Sequence, residues 1–121
     1  MKKVLLIEDD PFLVDIYATK LKESGFSVEI AVDGQEGLKK IEEKAPDLVL
    51  LDIVLPVVDG WEFLKKLNNS KNAGKLKVII LSNLGQKGEV EKGLKLGASK
   101  YLIKAHYTPS EVIKEVKKLL K

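Results

Sequence analysis

The stretch LLDIVLPVVDG, residues 50–60, ends a run of apolar residues on a single acid. The run has the length and composition of a buried strand, and Asp52 follows it directly. Pro56 and the pair Asp59-Gly60 are turn signals, and apolar residues at helical spacing begin at Trp61. The stretch therefore predicts a strand–loop–helix unit in which a carboxylate lies at the end of a core strand.

The same alternation of strand and helix patterns continues along the whole chain. Short runs rich in Val, Ile and Leu alternate with segments whose apolar residues recur at helical spacing. The predicted strands are residues 3–8, 27–32, 47–52, 77–82 and 100–104. The second and fifth runs are more polar, so we expect them at the edges of the sheet. The pattern predicts a doubly wound α/β fold, a parallel sheet in the order 2-1-3-4-5 with helices on both faces.

Composition and charge narrow the class of protein. The chain has 121 residues, 45% of them hydrophobic and 32% charged, which is typical of one folded domain spanning residues 1–121. There is no cysteine, no signal-peptide pattern and no apolar run long enough for a membrane span, which predicts a cytoplasmic protein without membrane contact. The net charge is +3, and all 21 basic residues are lysine. Because specific base recognition depends heavily on arginine, we expect no direct binding to nucleic acid.

The predicted topology indicates where a site should lie. Ligands of doubly wound sheets bind at the carboxyl ends of the strands, where the strand order reverses. Polar or charged residues end four of the five predicted strands in this chain: Glu8, Asp9 and Asp10, then Asp52, then Ser82 and Asn83, and finally Lys104.

The residue types at these strand ends favour phosphoryl chemistry. Crowded carboxylates repel one another, and an oxygen-only donor set favours Mg²⁺, which removes the repulsion. Lys104 offers a positive charge and Ser82 a hydroxyl donor for phosphoryl oxygens. Asp52 is then left as a nucleophile that can form an acyl phosphate. Each residue alone has an ordinary explanation, and Asp10, just before Pro11, is expected to cap the first helix.

These residues together resemble the receiver domain of two-component response regulators, over essentially the whole chain. The resemblance lies in the acidic pair Glu8 and Asp9, the motif D-x-x-x-P-x-x-D-G at 52–60, the hydroxyl of Ser82, and Lys104. It implies a flavodoxin-like fold and a signalling switch similar to the chemotaxis regulators.

The resemblance also implies roles for individual residues. Asp52 would accept a phosphoryl group from a phosphohistidine on a sensor histidine kinase or phosphotransfer protein. Mg²⁺ would be bound directly by Asp9, Asp52 and the backbone carbonyl of Val54, with Glu8 acting through water. The backbone N–H of Asn83 would help to bind the phosphoryl group.

The expected output is a change of surface. Ser82 and Tyr101 would turn inward on phosphorylation and alter the surface of helix 4, strand 5 and helix 5, which a downstream protein reads. We expect a monomer or a phosphorylation-dependent dimer, and no catalysis other than the protein's own phosphorylation and dephosphorylation. The sequence ends directly after the fifth helical pattern, as a stand-alone regulator or an excised receiver would.

Four departures from the family pattern carry expectations of their own. Ala105 follows Lys104 where the family usually has proline, so we expect a trans or a strained peptide bond there. Asn83 replaces a small residue, and it narrows access to Asp52 or adds a polar contact. Val54 and Leu84 are apolar where many relatives orient the hydrolytic water, which predicts slow self-dephosphorylation.

Other classes of protein fit less well. A haloacid-dehalogenase-like phosphatase needs a second acid where Val54 stands, and a flavodoxin-like electron carrier would have its phosphate repelled by the acids after strand 1. A phosphorylation-silent receiver, used as a binding module or an engineered scaffold, remains the alternative, and metal-dependent labelling separates it from an active receiver. His106 is expected to be solvated, and Trp61 to be a packing residue.

Overall fold

The computed structural model describes residues 1–72 and 74–120, in which strands and helices alternate. The strands are β1 (Lys3–Ile7), β2 (Ser27–Ala31), β3 (Leu48–Leu51), β4 (Lys77–Ser82) and β5 (Lys100–Ile103). The helices are α1 (Pro11–Glu23), α2 (Gly34–Glu43), α3 (Gly60–Asn68), α4 (Lys87–Lys95) and α5 (Pro109–Leu119), and a 3₁₀ turn (Lys104–His106) joins β5 to α5. Within the described residues, no helix is long and apolar enough to cross a membrane.

The sheet has the predicted topology. All neighbouring strands are parallel, and their order is β2-β1-β3-β4-β5. Every residue of β3 is buried, as is expected for a central strand with helices on both faces. The edge strands β2 and β5 are mostly half-buried, which agrees with their more polar sequences.

Two apolar layers enclose the sheet. On one face, buried residues of α1 and α5 pack against β1, β3 and β4, among them Tyr17, Leu21, Val112 and Val116. On the other face, α2 and α3 contribute Ile41, Phe63, Leu64 and Leu67. Helix α4 is the least buried helix, and Gly93 is its one buried residue.

Side-chain caps begin the helices and fix the loops before them. Asp10 caps α1, and its Oδ1 accepts a hydrogen bond from the backbone N–H of Phe12 at 2.9 Å. Asp33 and Asp59 cap α2 and α3, and Thr108 forms a capping box with Glu111 at the start of α5. The loops before α1, α2, α3 and α5 are therefore tied down at the point where these helices start.

The acids that follow the strands remain attached to the sheet by their backbones. The sequence predicts that the first and third strands end at Glu8 and Asp52, one residue after the observed ends of β1 and β3. Both residues nevertheless donate backbone hydrogen bonds to the neighbouring strand or its end. Glu8 N–H donates to Ala31 O at 3.0 Å, and Asp52 N–H donates to Ile7 O at 3.1 Å. The sheet therefore fixes where both carboxylates begin.

Candidate functional site

Lys104 brings the ends of three strands together. Its Nζ lies 2.8 Å from Glu8 Oε1 and 2.9 Å from Asp52 Oδ2, so one ammonium bridges the acids after β1 and β3. Glu8 is 3% exposed and Asp52 is 8% exposed, whereas Asp9 lies at the surface. A half-buried ammonium between two buried carboxylates is a costly arrangement that persists only because the charges compensate one another.

The three acids fit a hard divalent cation. One carboxylate oxygen from each of Glu8, Asp9 and Asp52 lies within 4.8 Å of the other two. Oxygen donors at this spacing suit Mg²⁺, which takes one or two carboxylates and keeps several waters. Asp9 is the exposed member of the three acids. The contribution of the Val54 carbonyl stays a prediction.

The electrostatics of the pair reflect burial and charge together. Burial raises the pKa of Glu8, and the negative charge of Asp52 adds to this, although the hydrogen bond from Lys104 acts in the opposite direction. Burial disfavours the ammonium of Lys104, but its hydrogen bonds to Glu8 and Asp52 outweigh burial and raise the pKa of this lysine. Lys104 is therefore a cation at neutral pH.

The Asp52 carboxylate is held in one orientation. Its Oδ1 accepts a hydrogen bond from Ile53 N–H at 2.7 Å and a weaker one from Val54 N–H at 3.4 Å. Its Oδ2 faces Lys104. This arrangement presents the two oxygens in different surroundings, with backbone donors at one and an ammonium at the other.

Ser82 and Tyr101 meet at the backbone of Leu84. Ser82 is fully buried, and its Oγ accepts a hydrogen bond from Leu84 N–H at 3.2 Å. The Tyr101 hydroxyl donates to Leu84 O. Burial raises the pKa of Tyr101, so the phenol keeps its proton and remains a donor. Leu84 thus connects the hydroxyl at the end of β4 with the aromatic ring on β5.

The segment after Lys104 is regular in backbone conformation. The Lys104–Ala105 peptide bond is trans, like the other peptide bonds of the described residues, and the backbone continues as the 3₁₀ turn. Of the two options that the missing proline left open, the structure has the trans bond. His106 is exposed in this turn. Trp61 is half-buried and packs against the core, as predicted, and the Lys92 ammonium of α4 lies 4.4 Å from its ring centroid.

The comparisons with known proteins agree with this geometry. The family "Response regulator receiver domain" matches residues 4–117. The chain belongs to the response regulator receiver family. Among curated relatives of this receiver, the alkaline phosphatase synthesis transcriptional regulatory protein PhoP of Bacillus subtilis is 37% identical over 120 residues, which cover 99% of this chain and 49% of PhoP.

Solved receiver structures superpose closely on this one. The receiver domain of the Francisella response regulator 1452 is 34% identical, with a TM-score of 0.90 over 98% of this chain and 96% of that chain. The Vibrio cholerae chemotaxis protein CheY4 is 26% identical, with a TM-score of 0.90 over 98% of both chains. The receiver spans about half the length of PhoP and of other transcriptional regulators that it matches.

Two features of this receiver had no clear signal in the sequence. Val57 has a φ of 64°, which β-branched residues rarely adopt, and the valine itself gives no hint of it. The backbone of Leu84 contacts both Ser82 and Tyr101, whereas the sequence drew attention only to its apolar side chain. The Asp33-Gly34 pair beside the site is a common turn signal, but it carried no prediction of a contact.

Proposed function

We propose that this receiver is a phosphorylation-activated switch in which Asp52 accepts a phosphoryl group from a phosphohistidine of a sensor histidine kinase or phosphotransfer protein. The observation that carries the proposal is the position of the Asp52 carboxylate. Its Oδ2 lies 2.9 Å from the Lys104 ammonium, and one of its oxygens lies within 4.8 Å of one oxygen each of Glu8 and Asp9.

The proposed step exchanges one bond to phosphorus for another. A carboxylate oxygen of Asp52 attacks phosphorus, the P–N bond breaks, and the electron pair returns to the imidazole nitrogen of the donor. Lys104 then pairs with a phosphoryl oxygen, and the Ser82 hydroxyl and Asn83 N–H donate hydrogen bonds to the others. Charge neutralisation around the phosphoryl group lowers the barrier because like charges otherwise meet at Asp52.

Glu8, Asp9, Asp52 and the Val54 carbonyl would hold Mg²⁺. The ion, when bound, neutralises the acids and the incoming phosphoryl oxygens. Glu8 and Asp52 are held by Lys104 and by the backbone, so these oxygens are already close together before an ion arrives. Asp9 completes the donor set from the solvent side.

The switch would act through the Leu84 backbone. A phosphoryl group that draws the Ser82 hydroxyl toward itself competes with the hydrogen bond that Ser82 accepts from Leu84 N–H. Tyr101 bonds to the same residue, and its ring lies against Gly93 of α4. A change at Ser82 is therefore passed to the surface formed by α4, β5 and α5, as a shift between two packings.

The partners follow from the family and the surface. PhoP and several other relatives are named as transcriptional regulators, and this chain spans about half of their length. We propose that the α4–β5–α5 surface contacts a downstream protein, or a second copy on phosphorylation, without touching nucleic acid itself, and that the protein works in the cytoplasm.

It catalyses only its own phosphorylation and a slow hydrolysis, because the half-buried Leu84 and the exposed Val54 offer no polar side chain to orient water.

The proposal is tested by intact mass after incubation with acetyl phosphate, with and without Mg²⁺. We expect one phosphoryl adduct that needs Mg²⁺ and is absent from Asp52→Asn. The matched control is Glu42→Gln, which neutralises an exposed acid on α2 and should label like the wild type. Failure of the wild type to label, in a folded protein, would favour the phosphorylation-silent binding module instead.

A further inference from the structure

The turn between β2 and α2 lies directly against the loop that follows Asp52. We call residues 53–59 the acceptor loop. Gly34 is the first residue of α2, and its N–H donates a hydrogen bond to Val58 O at 3.0 Å. Asp33 fixes this end of α2, because its Oδ1 accepts a hydrogen bond from Glu36 N–H at 2.8 Å. The acceptor loop therefore rests on a capped helix end.

Only glycine fits at this contact. A Cβ added at Gly34 would lie 2.3 Å from Val58 O and 2.9 Å from Val58 Cγ1. The first of these atoms belongs to the backbone, so a methyl group cannot be accommodated by a side-chain rotation. Any larger residue at position 34 must displace either α2 or the acceptor loop.

The acceptor loop needs such support because it contains a strained residue. Val57 has a φ of 64° and is 74% exposed, so burial of its side chain does not compensate for the strained backbone. Such conformations persist only where the surroundings fix them. Two hydrogen bonds do so here, Gly34 N–H to Val58 O on one side and Gly60 N–H to Ile53 O, at 2.8 Å, on the other.

We propose that Gly34 is a positioning residue for the phosphoacceptor site. It holds the acceptor loop in its strained shape and so places the Val54 carbonyl and the backbone N–H groups that orient Asp52. Gly34 touches neither the phosphoryl group nor the metal, and it acts only through Val58. The expected effect of Gly34 on Mg²⁺ binding rests on the proposed function. Its effect on the acceptor loop rests only on the contact between Gly34 and Val58.

The first test measures Mg²⁺ affinity by isothermal titration calorimetry. Gly34→Ala is expected to weaken Mg²⁺ binding about tenfold, the loss typical of residues that orient metal ligands without contacting the metal. The matched control is Gly88→Ala, the same change at a position where a Cβ meets nothing within 4 Å, and its affinity should equal that of the wild type. A folded Gly34→Ala variant with wild-type Mg²⁺ affinity would overturn the proposal.

A second test holds even where Gly34→Ala folds poorly. Val57→Gly lets the acceptor loop adjust, because glycine adopts positive φ freely. Val57→Gly should therefore gain more in denaturation midpoint and Mg²⁺ affinity in the Gly34→Ala background than it gains in the wild type, so the two changes are non-additive. Additive effects would refute the coupling. If the wild type itself takes up no Mg²⁺, the proposed function fails, and the cycle of denaturation midpoints alone decides the role of Gly34.

Discussion

At the scale of single residues, the buried Glu8 carboxylate is electrostatically unfavourable in its ionised form. Its carboxylate is desolvated and faces Asp52, and the Lys104 ammonium compensates for this only in part, so the pKa of Glu8 is raised. A folded-state pKa above the unfolded value of 4.5 means that folding favours the protonated acid. The stability that the protonated Glu8 contributes is fully present below the unfolded-state pKa of 4.5 and is lost as the pH rises through the folded-state pKa.

Substitution of Glu8 by glutamine tests this electrostatic balance. The glutamine of Glu8→Gln stays neutral at every pH. The unfolding free energy of the variant should therefore increase relative to that of the wild type as the pH rises through the folded-state pKa of Glu8. The measurement is urea denaturation of both proteins without divalent cations. If the unfolding free energy of the variant instead falls relative to that of the wild type as the pH rises, the ion pair with Lys104 stabilises ionised Glu8 by more than burial destabilises it.

The positive φ of Val57 should lower the stability of the folded protein. Val57→Asn should raise the unfolding free energy by about 1 kcal/mol, because asparagine tolerates the left-handed region and the exposed valine loses little burial. Val54→Asn is the matched control, since Val54 is a 62% exposed valine of the same loop without positive φ. We expect a change of no more than roughly 0.5 kcal/mol for the control. Equal effects in chemical denaturation would contradict strain at Val57.

At the scale of elements, α4 is the helix held most weakly to the domain. Val90 and Leu94 lie at helical spacing and indicate the helix, yet Leu94 is 45% exposed and the residue that faces the sheet is Gly93. A glycine at the buried position carries no hydrophobic signal, so the sequence gives the presence of α4 but not its packing face. The closeness of Tyr101 to Gly93 ties this helix to the residue that we propose as a switch.

The two glycines of α4 should respond to alanine in opposite directions. Gly88→Ala should stabilise by about 1 kcal/mol through helix propensity, because its Cβ meets nothing. At Gly93 a Cβ would lie 2.7 Å from Ile80 Cδ1 and 2.8 Å from Tyr101 Cδ2, so Gly93→Ala should destabilise by roughly 1–3 kcal/mol. Denaturation midpoints of the two variants measure both effects. A stabilising Gly93→Ala would mean that α4 is free to move away from the sheet.

At the scale of the whole molecule, the sequence predicted the sheet and the strand ends but not the contacts between loops. Strand order followed from the apolar runs, and Glu8, Asp52 and Lys104 were placed together because topology brings strand ends to one edge. The contact of Gly34 with Val58 and the two bonds at Leu84 involve backbone atoms. Hydrophobic patterns record where side chains are buried, so they carry no information on these contacts.

The proposed Mg²⁺ site would also make the stability of the whole domain depend on the ion. An ion that binds only the folded chain stabilises it by about 2.7 kcal/mol at a hundredfold excess over Kd, which raises the thermal midpoint of a domain of this size by several degrees. We expect this rise in the wild type and in Glu42→Gln, measured by differential scanning calorimetry against a chelator control. Asp9→Asn should lose most of the rise, and an undiminished rise in that variant would place the ion elsewhere.

The position of the phosphoryl group in the chain tests the proposed function most directly. Borohydride reduces an aspartyl phosphate to homoserine, so tandem mass spectrometry of protein treated with acetyl phosphate and Mg²⁺ identifies the modified position. We expect homoserine at position 52, and none when Mg²⁺ is omitted. Homoserine at position 9 or 10, or a phosphoryl adduct that leaves position 52 unreduced, would contradict the proposed function.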